Sequence, residues 1–475
     1  MKFPILAFVF SFSFLPFAFS KTWQVGPTRT YTYCSKVASL VQNGDTILID
    51  FATYLNDPQV KWDKNNLLIK GVGGRPRLEA GSIIANDASN GKGIFVISGA
   101  NVRVENIEFA NAAVIDRNGA GIRQEGANLY IHKCKFIGNE MGILCGNIAN
   151  CKTTVEFSEF FHGGSSFNPG YQHNIYINHI DTFVFRYNYS HDAIAEGHEL
   201  KSRATYNFIL YNRIANEQST DSRTIDLPNG GTTVIVGNII EQGPNSANSN
   251  LLGYGLEGLS NPAPHKIWIC NNTFINKKST GSFIHTQSGT DTLFVKNNIL
   301  AGAKTGGLFL GSAAVVDSSN NLVSNNIADF GFVDATKYNY QLLTTSIAKD
   351  AGIEVNKSVN GYDLQPKWMY KDTCNVEIRN KYNKIDIGAY EFFAPTDNKE
   401  LANPTFIIYP NPTADWVHLE LKNAEFKQVK IYSLSGEFLQ TYFTSDFSIA
   451  PFQNGVYFLL IQTEQQSFFT KIMKF

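Results

Sequence analysis

Between residues 101 and 321 one short pattern keeps returning: apolar residues in alternation, closed by Asn. It reads Val102-Arg-Val104-Glu-Asn106, and later Phe208-Ile-Leu210-Tyr-Asn212, Val234-Ile-Val236-Gly-Asn238, Ile267-Trp-Ile269-Cys-Asn271 and Leu293-Phe-Val295-Lys-Asn297. The last four Asn are spaced 26, 33 and 26 residues apart. Periods of about 20–50 residues belong to solenoids, propellers and arrays, because each repeat buries its apolar face only against its neighbours. A second register runs through Gly121-Ile122-Arg123, Gly142-Ile143-Leu144, Asn174-Ile175-Tyr176, Glu199-Leu200-Lys201 and Thr224-Ile225-Asp226. It continues through Ser282-Phe283-Ile284 and Gly307-Leu308-Phe309. Ile175 to Leu200 and Leu200 to Ile225 are both steps of 25 residues, matching the first register.

Two short strands per repeat, held at a constant offset, describe one coil of a parallel β-helix with rungs about 4.8 Å apart. Asn recurring at one coil position stacks into a hydrogen-bonded ladder. A propeller blade needs about four strands in 40–45 residues, more than these repeats hold, and the Leu spacing of a leucine-rich repeat is absent. Ser35 to Gln42 reads as a short amphipathic helix that caps the open end of the stack, and Asp45-Thr-Ile-Leu-Ile-Asp50 as the start of the first coil. Asp386-Ile-Gly-Ala-Tyr-Glu-Phe392 reads as a closing strand.

The flanks differ from the repeat. Met1-Lys2, an apolar run from Phe3 to Phe19 and the small-x-small Ala18-Phe19-Ser20 describe a secretory signal peptide, residues 1–20. A membrane anchor is the competing reading; Pro4 and Pro16 interrupt the run. No other stretch approaches the roughly 18 apolar residues that span a bilayer, so the mature chain is expected to have no transmembrane segment. Residues 21–393 hold the solenoid and 394–403 a polar linker. Residues 404–475 alternate strands and polar turns in the manner of a small β-sandwich.

Charge bears on partners. Lys+Arg 40 against Asp+Glu 41 leaves a net charge of −1, which excludes a general nucleic-acid footprint. The six cysteines show no CxxC spacing, so a structural zinc site is not expected. Export permits disulfides, with Cys145 and Cys151 as the first pair to consider; buried free thiols are the alternative. No phosphate-binding Gly loop and no GxSxG elbow occurs.

The tail closely resembles the type A C-terminal sorting domain of the type IX secretion system of Bacteroidetes. The matching residues are Tyr409-Pro410-Asn411-Pro412, the Ile431 to Gly436 turn, Asn454-Gly-Val-Tyr457 and the basic last strand. That resemblance implies export, contact with the type IX machinery, and surface attachment or release. Residues 23–392 resemble bacterial right-handed parallel β-helix repeat proteins through Gly71-Val-Gly-Gly-Arg-Pro76, Gly119 to Gly126, His173-Asn-Ile-Tyr-Ile177, Gly197 to Ala204 and Asp226-Leu-Pro-Asn-Gly-Gly231. The fold expected is therefore all-β: a right-handed parallel β-helix with an N-terminal cap, then a small β-sandwich. More distantly it resembles pectate, alginate and chondroitin lyases, a likeness of fold only.

Polar chemistry concentrates from His162 to Asp226, where five of the nine histidines fall between His162 and His198. Strand alternation turns Leu200 inward and Glu199, Lys201 and Arg203 outward. Tyr176, Lys201 and Asp226 then form one external stripe, with Glu199, Arg203 and Thr224 beside it. Such a stripe suits β-elimination of a uronate polymer. That reaction needs positive charge on the substrate carboxylate and a base at C5. The resemblance to the alginate- and chondroitin-lyase family implies Lys201, in Leu200-Lys-Ser202, as base and Arg223, one coil on, as acid; the surroundings of Arg223 depart from the family motif. The candidate catalytic residues are Lys201, Arg203, Arg223, Tyr176 and His198. The candidate substrate contacts are Glu199, Asp226, His173 and Arg123. The histidines lack HExxH spacing, and calcium on Glu199 or Asp226 is the one cofactor the lyase likeness brings in. Two readings follow: a monomeric, secreted or surface-displayed lyase acting on an acidic polysaccharide, or a non-catalytic β-helix that binds glycan or mediates adhesion. A Lys201 sealed by Asp226 would favour the second.

Overall fold

The computed structural model describes residues 20–84, 91–305, 307–392, 406–421, 425–433, 438–463 and 467–475. The expected signal peptide, apart from Ser20, and the expected linker lie outside the described residues. The chain divides into two units, residues 1–392 and 393–475.

The first unit is an all-β solenoid of about eleven turns, with three strands per coil rather than two. The first row contains Leu129–His132, Lys152–Glu156, Thr182–Arg186, Tyr206–Leu210 and Thr232–Val236. The second contains Ala120–Gln124, Met141–Cys145, Ile175–Ile177, Leu200–Ser202, Ile225–Leu227 and Asn250–Tyr254. The third row is a separate 11-stranded parallel sheet that includes Tyr189–His191, Arg213–Ala215 and Ile239–Gln242. It went unseen in the sequence because its strands are three or four residues long and begin directly after the Asn corner, so they read as one apolar stretch with the first row.

That corner explains the repeat. Asn188, Asn212, Asn238, Asn272, Asn298 and Asn321 stack rung upon rung. The backbone N–H of each donates to the Oδ1 of the next at 2.9 Å. Each side-chain amide also satisfies main-chain carbonyls, as Asn212 Nδ2 does for Phe185 O at 2.8 Å. Buried peptide groups at a corner have no strand partner, so Asn supplies both a donor and an acceptor. Asn271 and Asn297, which the sequence pattern placed in the ladder, sit one residue earlier at positive φ. The inner ladder belongs to Asn272 and Asn298. The second register slips in the same way. Ile284, not Phe283, stands on the rung after Leu252, and Phe309, not Leu308, follows it.

Inward positions pack as stacked aromatics and aliphatics. Phe109, Phe136 and Phe160 lie face to face with centroids 5.2 and 4.6 Å apart. Each fully buried side chain of this size contributes about 1.5–3 kcal/mol, and the column repeats that gain at every rung.

Several expectations about the ends are corrected. The stack begins at Thr22–Val25, which pairs in parallel with Thr46–Asp50, so Asp45 opens the second rung rather than the first. The expected helix at Ser35–Gln42 is a 3-10 turn, Cys34–Lys36, followed by turns that bury Val37 and Val41. Eight residues are too few to sustain a helix without strong packing. Asp386 to Phe392 is not a strand. It docks on the Asn corner: Gly388 N–H donates to Asn297 O at 2.8 Å and Asn271 Nδ2 to Asp386 O at 3.0 Å. All six cysteines are free; Cys145 and Cys151 are buried, with Cys151 Sγ accepting from Gln124 Nε2 at 3.4 Å.

Residues 327–392 fold back over the outside of the coil. Phe330, Tyr340 and Ile387 cover Ala215, Ile239 and Ile275 of the third row, and Val355 and Leu364 cover Phe208, Val234 and Val236 of the first. The outer face of the second row carries its own small cluster of Ala120, Met141 and Leu144 beside Tyr176. The polar stripe lies on that face.

The second unit has a three-stranded and a four-stranded antiparallel sheet on a shared core of Val417, Leu419, Val429, Ile431, Leu459 and Ile461. Asn411 of the Pro-Asn-Pro segment donates to Lys471 O at 3.1 Å and accepts from Met473 N–H at 3.0 Å, fastening the opening motif to the last strand. Lys474 Nζ donates to Ala450 O at 2.7 Å, so the terminal cation closes a turn.

Candidate functional site

Parallel pairing puts Leu144 beside Tyr176, Tyr176 beside Lys201, and Lys201 beside Asp226. Arg123 pairs with Leu144 at the head of the same stripe. The stripe thus runs Arg123, Leu144, Tyr176, Lys201, Asp226, and its two halves differ.

The Lys201 half is closed. Lys201 is 9% exposed and Asp226 1%. Lys201 Nζ lies 3.2 Å from Asp226 Oδ2 and donates to Glu257 Oε1 at 2.7 Å. Arg203 donates to Tyr176 Oη at 2.9 Å, to Asn229 Oδ1 at 2.6 Å and to Glu257 Oε2 at 2.5 Å. Arg223 turns along the face to reach Asn250 and Asp226, the latter at 3.2 Å. Gly253 on the next rung makes room for it, since a Cβ there would meet Arg223 Cδ at 3.0 Å. Every charge here has a protein partner. Although partial burial works against it, hydrogen bonds from Lys201 and Arg203 hold the Glu257 carboxyl below its usual range. The sequence reading missed Glu257 and Asn229. The available signal was an acid in the Gly255-Leu-Glu-Gly258 turn of a charge-poor chain.

The histidines form a structural column. His173 Nδ1 accepts from His198 N–H at 3.0 Å, and His198 Nδ1 lies 3.1 Å from both the N–H and the carbonyl oxygen of Arg223. In neutral His173 the ring proton therefore sits on Nε2. In His198, Nε2 faces Asp226 Oδ2 at 3.6 Å. The rings stack at 4.8 Å, and burial pushes His198 down to about 4 and His173 well below its ordinary value.

Glu199 and Thr224 are corrected. Both are fully buried. Glu199 accepts from Asn174 Nδ2 at 2.6 Å and Ala193 N–H at 2.8 Å, and Thr224 donates to Glu241 O at 3.1 Å. They precede their strands, at a corner, where the alternation of a strand does not extend. Glu199 joins Asp221 in an internal acidic pair. Burial first, then the charge of Asp221, raises Glu199 well above its ordinary value; burial raises Asp221 to about 7. Among the described residues no group of three or more His, Cys, Asp or Glu could hold a metal ion. Glu199 faces inward and Asp226 is taken up by Lys201, Arg223 and His198.

The Arg123 half is open. A cavity of about 400 Å³ is lined by Arg117, Arg123, Tyr171, Tyr176, Gln172 and Asn147, among others. The buried Nε of Arg123 has no hydrogen-bond partner, and its nearest acidic oxygen, on Glu125, is 3.9 Å away. Tyr171 is 75% exposed. An under-partnered guanidinium between tyrosines and amides can take a carboxylate while the rings cover the apolar faces of a sugar.

Residues 407–474 match the model of the secretion system C-terminal sorting domain. The chain therefore is a β-solenoid carrying the sorting tail of the type IX secretion system, and it is destined for secretion or surface attachment. No helix among the described residues is long and apolar enough to cross a membrane. No curated protein matches the chain. A solved structure titled "Geobacillus virus E2 - ORF18" aligns at 13% identity with a TM-score of 0.31, over 60% of this chain and 53% of that one. The match thus spans about half the length of that structure.

Proposed function

We propose that this exported β-solenoid binds an acidic, uronate-containing glycan in the cavity at Arg123 and Tyr176. The observation that carries this reading is the Arg123 guanidinium, a quarter exposed and with its nearest carboxylate, Glu125, at 3.9 Å, in a cavity that also holds Arg117, Tyr171 and Tyr176. A uronate supplies what that group lacks. The closed Lys201 half argues against the elimination chemistry first expected, because a base must present a reachable nitrogen and Nζ is buried against two carboxylates.

A second reading has one specific support. Tyr176 lines the same cavity and its Oη accepts from Arg203 at 2.9 Å. With Arg123 on the uronate carboxylate, Tyr176 as the phenolate, held by the Arg203 hydrogen bond, would take the C5 proton; the C4=C5 double bond would form as the C4–O bond breaks, and the resulting phenol would return that proton to the departing C4 oxygen, a lyase with Tyr176 in the role assigned to Lys201. Titration calorimetry with polygalacturonate, alginate and chondroitin sulfate, against neutral glycans, tests the binding reading. Salt-sensitive binding of an acidic glycan alone is the expected result; equal binding of neutral chains, or none, overturns it. Ultraviolet absorbance of an unsaturated uronide in the same mixtures, lost in Tyr176→Phe, would establish the lyase reading.

A further inference from the structure

We propose that Lys201 and Arg203 form a second carboxylate subsite for the same acidic chain, closed in the free protein by Glu257. The Glu257 carboxylate stands where a uronate carboxylate would bind. This inference rests on the cavity at Arg123 accepting an acidic glycan.

Glu257 lies on the turn after strand Asn250–Tyr254, two rungs beyond Lys201. Its side chain reaches back across the Asp226 rung and gives one oxygen to each cation, Oε1 to Lys201 at 2.7 Å and Oε2 to Arg203 at 2.5 Å. That two-point arrangement is the one an external carboxylate needs. The exposure of the three groups is uneven. The side chain of Glu257 is 45% exposed, against 11% for Lys201 and 17% for Arg203. The carboxylate is the part that solvent and a ligand reach, and the cations form the floor.

The floor stays in place without Glu257. Lys201 keeps Asp226 at 3.2 Å, and Arg203 keeps Tyr176 at 2.9 Å and Asn229 at 2.6 Å. The turn is anchored independently of the Glu257 carboxylate, by the Glu257 backbone N–H to Pro228 O at 3.0 Å and by the Asn261 side-chain amide Nδ2 to Ala204 O at 3.1 Å. A rotation of the Glu257 side chain therefore opens the subsite with the turn unmoved. Tyr176 joins the two places. It lines the cavity, it bonds Arg203, and it stands one rung, about 4.8 Å, from Lys201. A glycan leaving the cavity along the stripe meets Glu257 next, and its own carboxylate can displace it.

The test uses the full chain with Glu257→Ala and a simple probe, acetate. Sodium acetate, compared with sodium chloride at equal ionic strength, should raise the thermal midpoint of Glu257→Ala and leave the wild type no more responsive than to chloride. The response should vanish when Arg203→Met is added. Acidic oligosaccharides should bind Glu257→Ala roughly threefold or more tighter than wild type, since a site open part of the time binds with its affinity scaled by the open fraction. Identical responses of Glu257→Ala to the two salts overturn the subsite, as does a wild type equally sensitive to acetate. Acetate response without acidic-glycan binding by either form overturns the cavity reading and leaves a carboxylate subsite. Glycan binding by wild type with no gain in Glu257→Ala overturns the latch. Glu257→Gln, which keeps the shape of the side chain, serves the same comparison if the Ala variant does not fold.

Discussion

The ammonium of Lys201 lies 3.2 Å from the carboxylate of Asp226, its register partner on the next rung, and both side chains are nearly sealed from water. At such a site the pair holds the face together, and removing one partner strands the other charge.

Lys201→Met should therefore destabilise the solenoid by about 2–4 kcal/mol, somewhat less than a fully orphaned buried charge costs because Arg223 still reaches Asp226 at 3.2 Å. The double variant Lys201→Met/Asp226→Asn should recover part of that loss. Urea denaturation of the four proteins in the cycle measures it, and strictly additive effects would contradict the pairing.

Arg123→Met should behave in the opposite way. Arg123 has no close ion-pair partner, only Glu125 at 3.9 Å, so stability should change by less than about 1 kcal/mol. Affinity for an acidic glycan should fall about tenfold or more, the loss of one charge-assisted contact. Unchanged affinity in calorimetry removes Arg123 from the site.

The Asn ladder should be costly in its interior and cheap at its end. Asn238 is fully buried, and Asn212 donates to its Oδ1 at 2.9 Å while its own Nδ2 donates to Ile209 O at 2.8 Å. Asn238→Ala should cost about 3 kcal/mol or more, because several buried backbone groups lose partners together. Asn321 is partly exposed at the end of the ladder, where water can substitute, and Asn321→Ala should cost about 1 kcal/mol. Equal losses in chemical denaturation would falsify this account of the corner.

The internal acids predict a pH dependence. Asp221 is raised from 3.8 to about 7 by burial, so the folded state takes up a proton where the unfolded state does not. Its contribution to stability is full below the unfolded value and is lost as pH rises through about 7. Asp221→Asn removes that loss. Its stability relative to wild type should improve by about 2 kcal/mol between roughly pH 5 and pH 8. A pH-independent difference between the two proteins would show that Asp221 does not titrate in this window.

Much of the architecture was legible before any coordinates. Val234-Ile-Val236 and its counterparts alternate because one face of each strand is buried, and the Asn that follows marks a corner that only a donor-and-acceptor side chain can satisfy. The sorting tail announced itself through Tyr409 to Pro412 and the turns behind it. The site was legible in part. The order Tyr176, Lys201, Asp226 follows from equal steps of 25 residues, and Arg123 was among the residues singled out. The third strand of each coil was not legible, since three residues after a corner carry too short a pattern to separate from what precedes them.

By itself, then, the sequence determined what repeats: the coil, the Asn corner, the inward apolar positions and the tail. Those are properties of short-range periodicity, which any window of one repeat contains. The tertiary structure alone decided which carboxylate meets which cation. Glu199 and Asp226 look alike on the chain, yet the corner turns one into the core while the strand turns the other onto the face. Glu257 closes over Lys201 from 56 residues away, a meeting set by the length of two intervening coils and the direction of one turn. Distances of that kind depend on how rungs stack, and no local pattern encodes them.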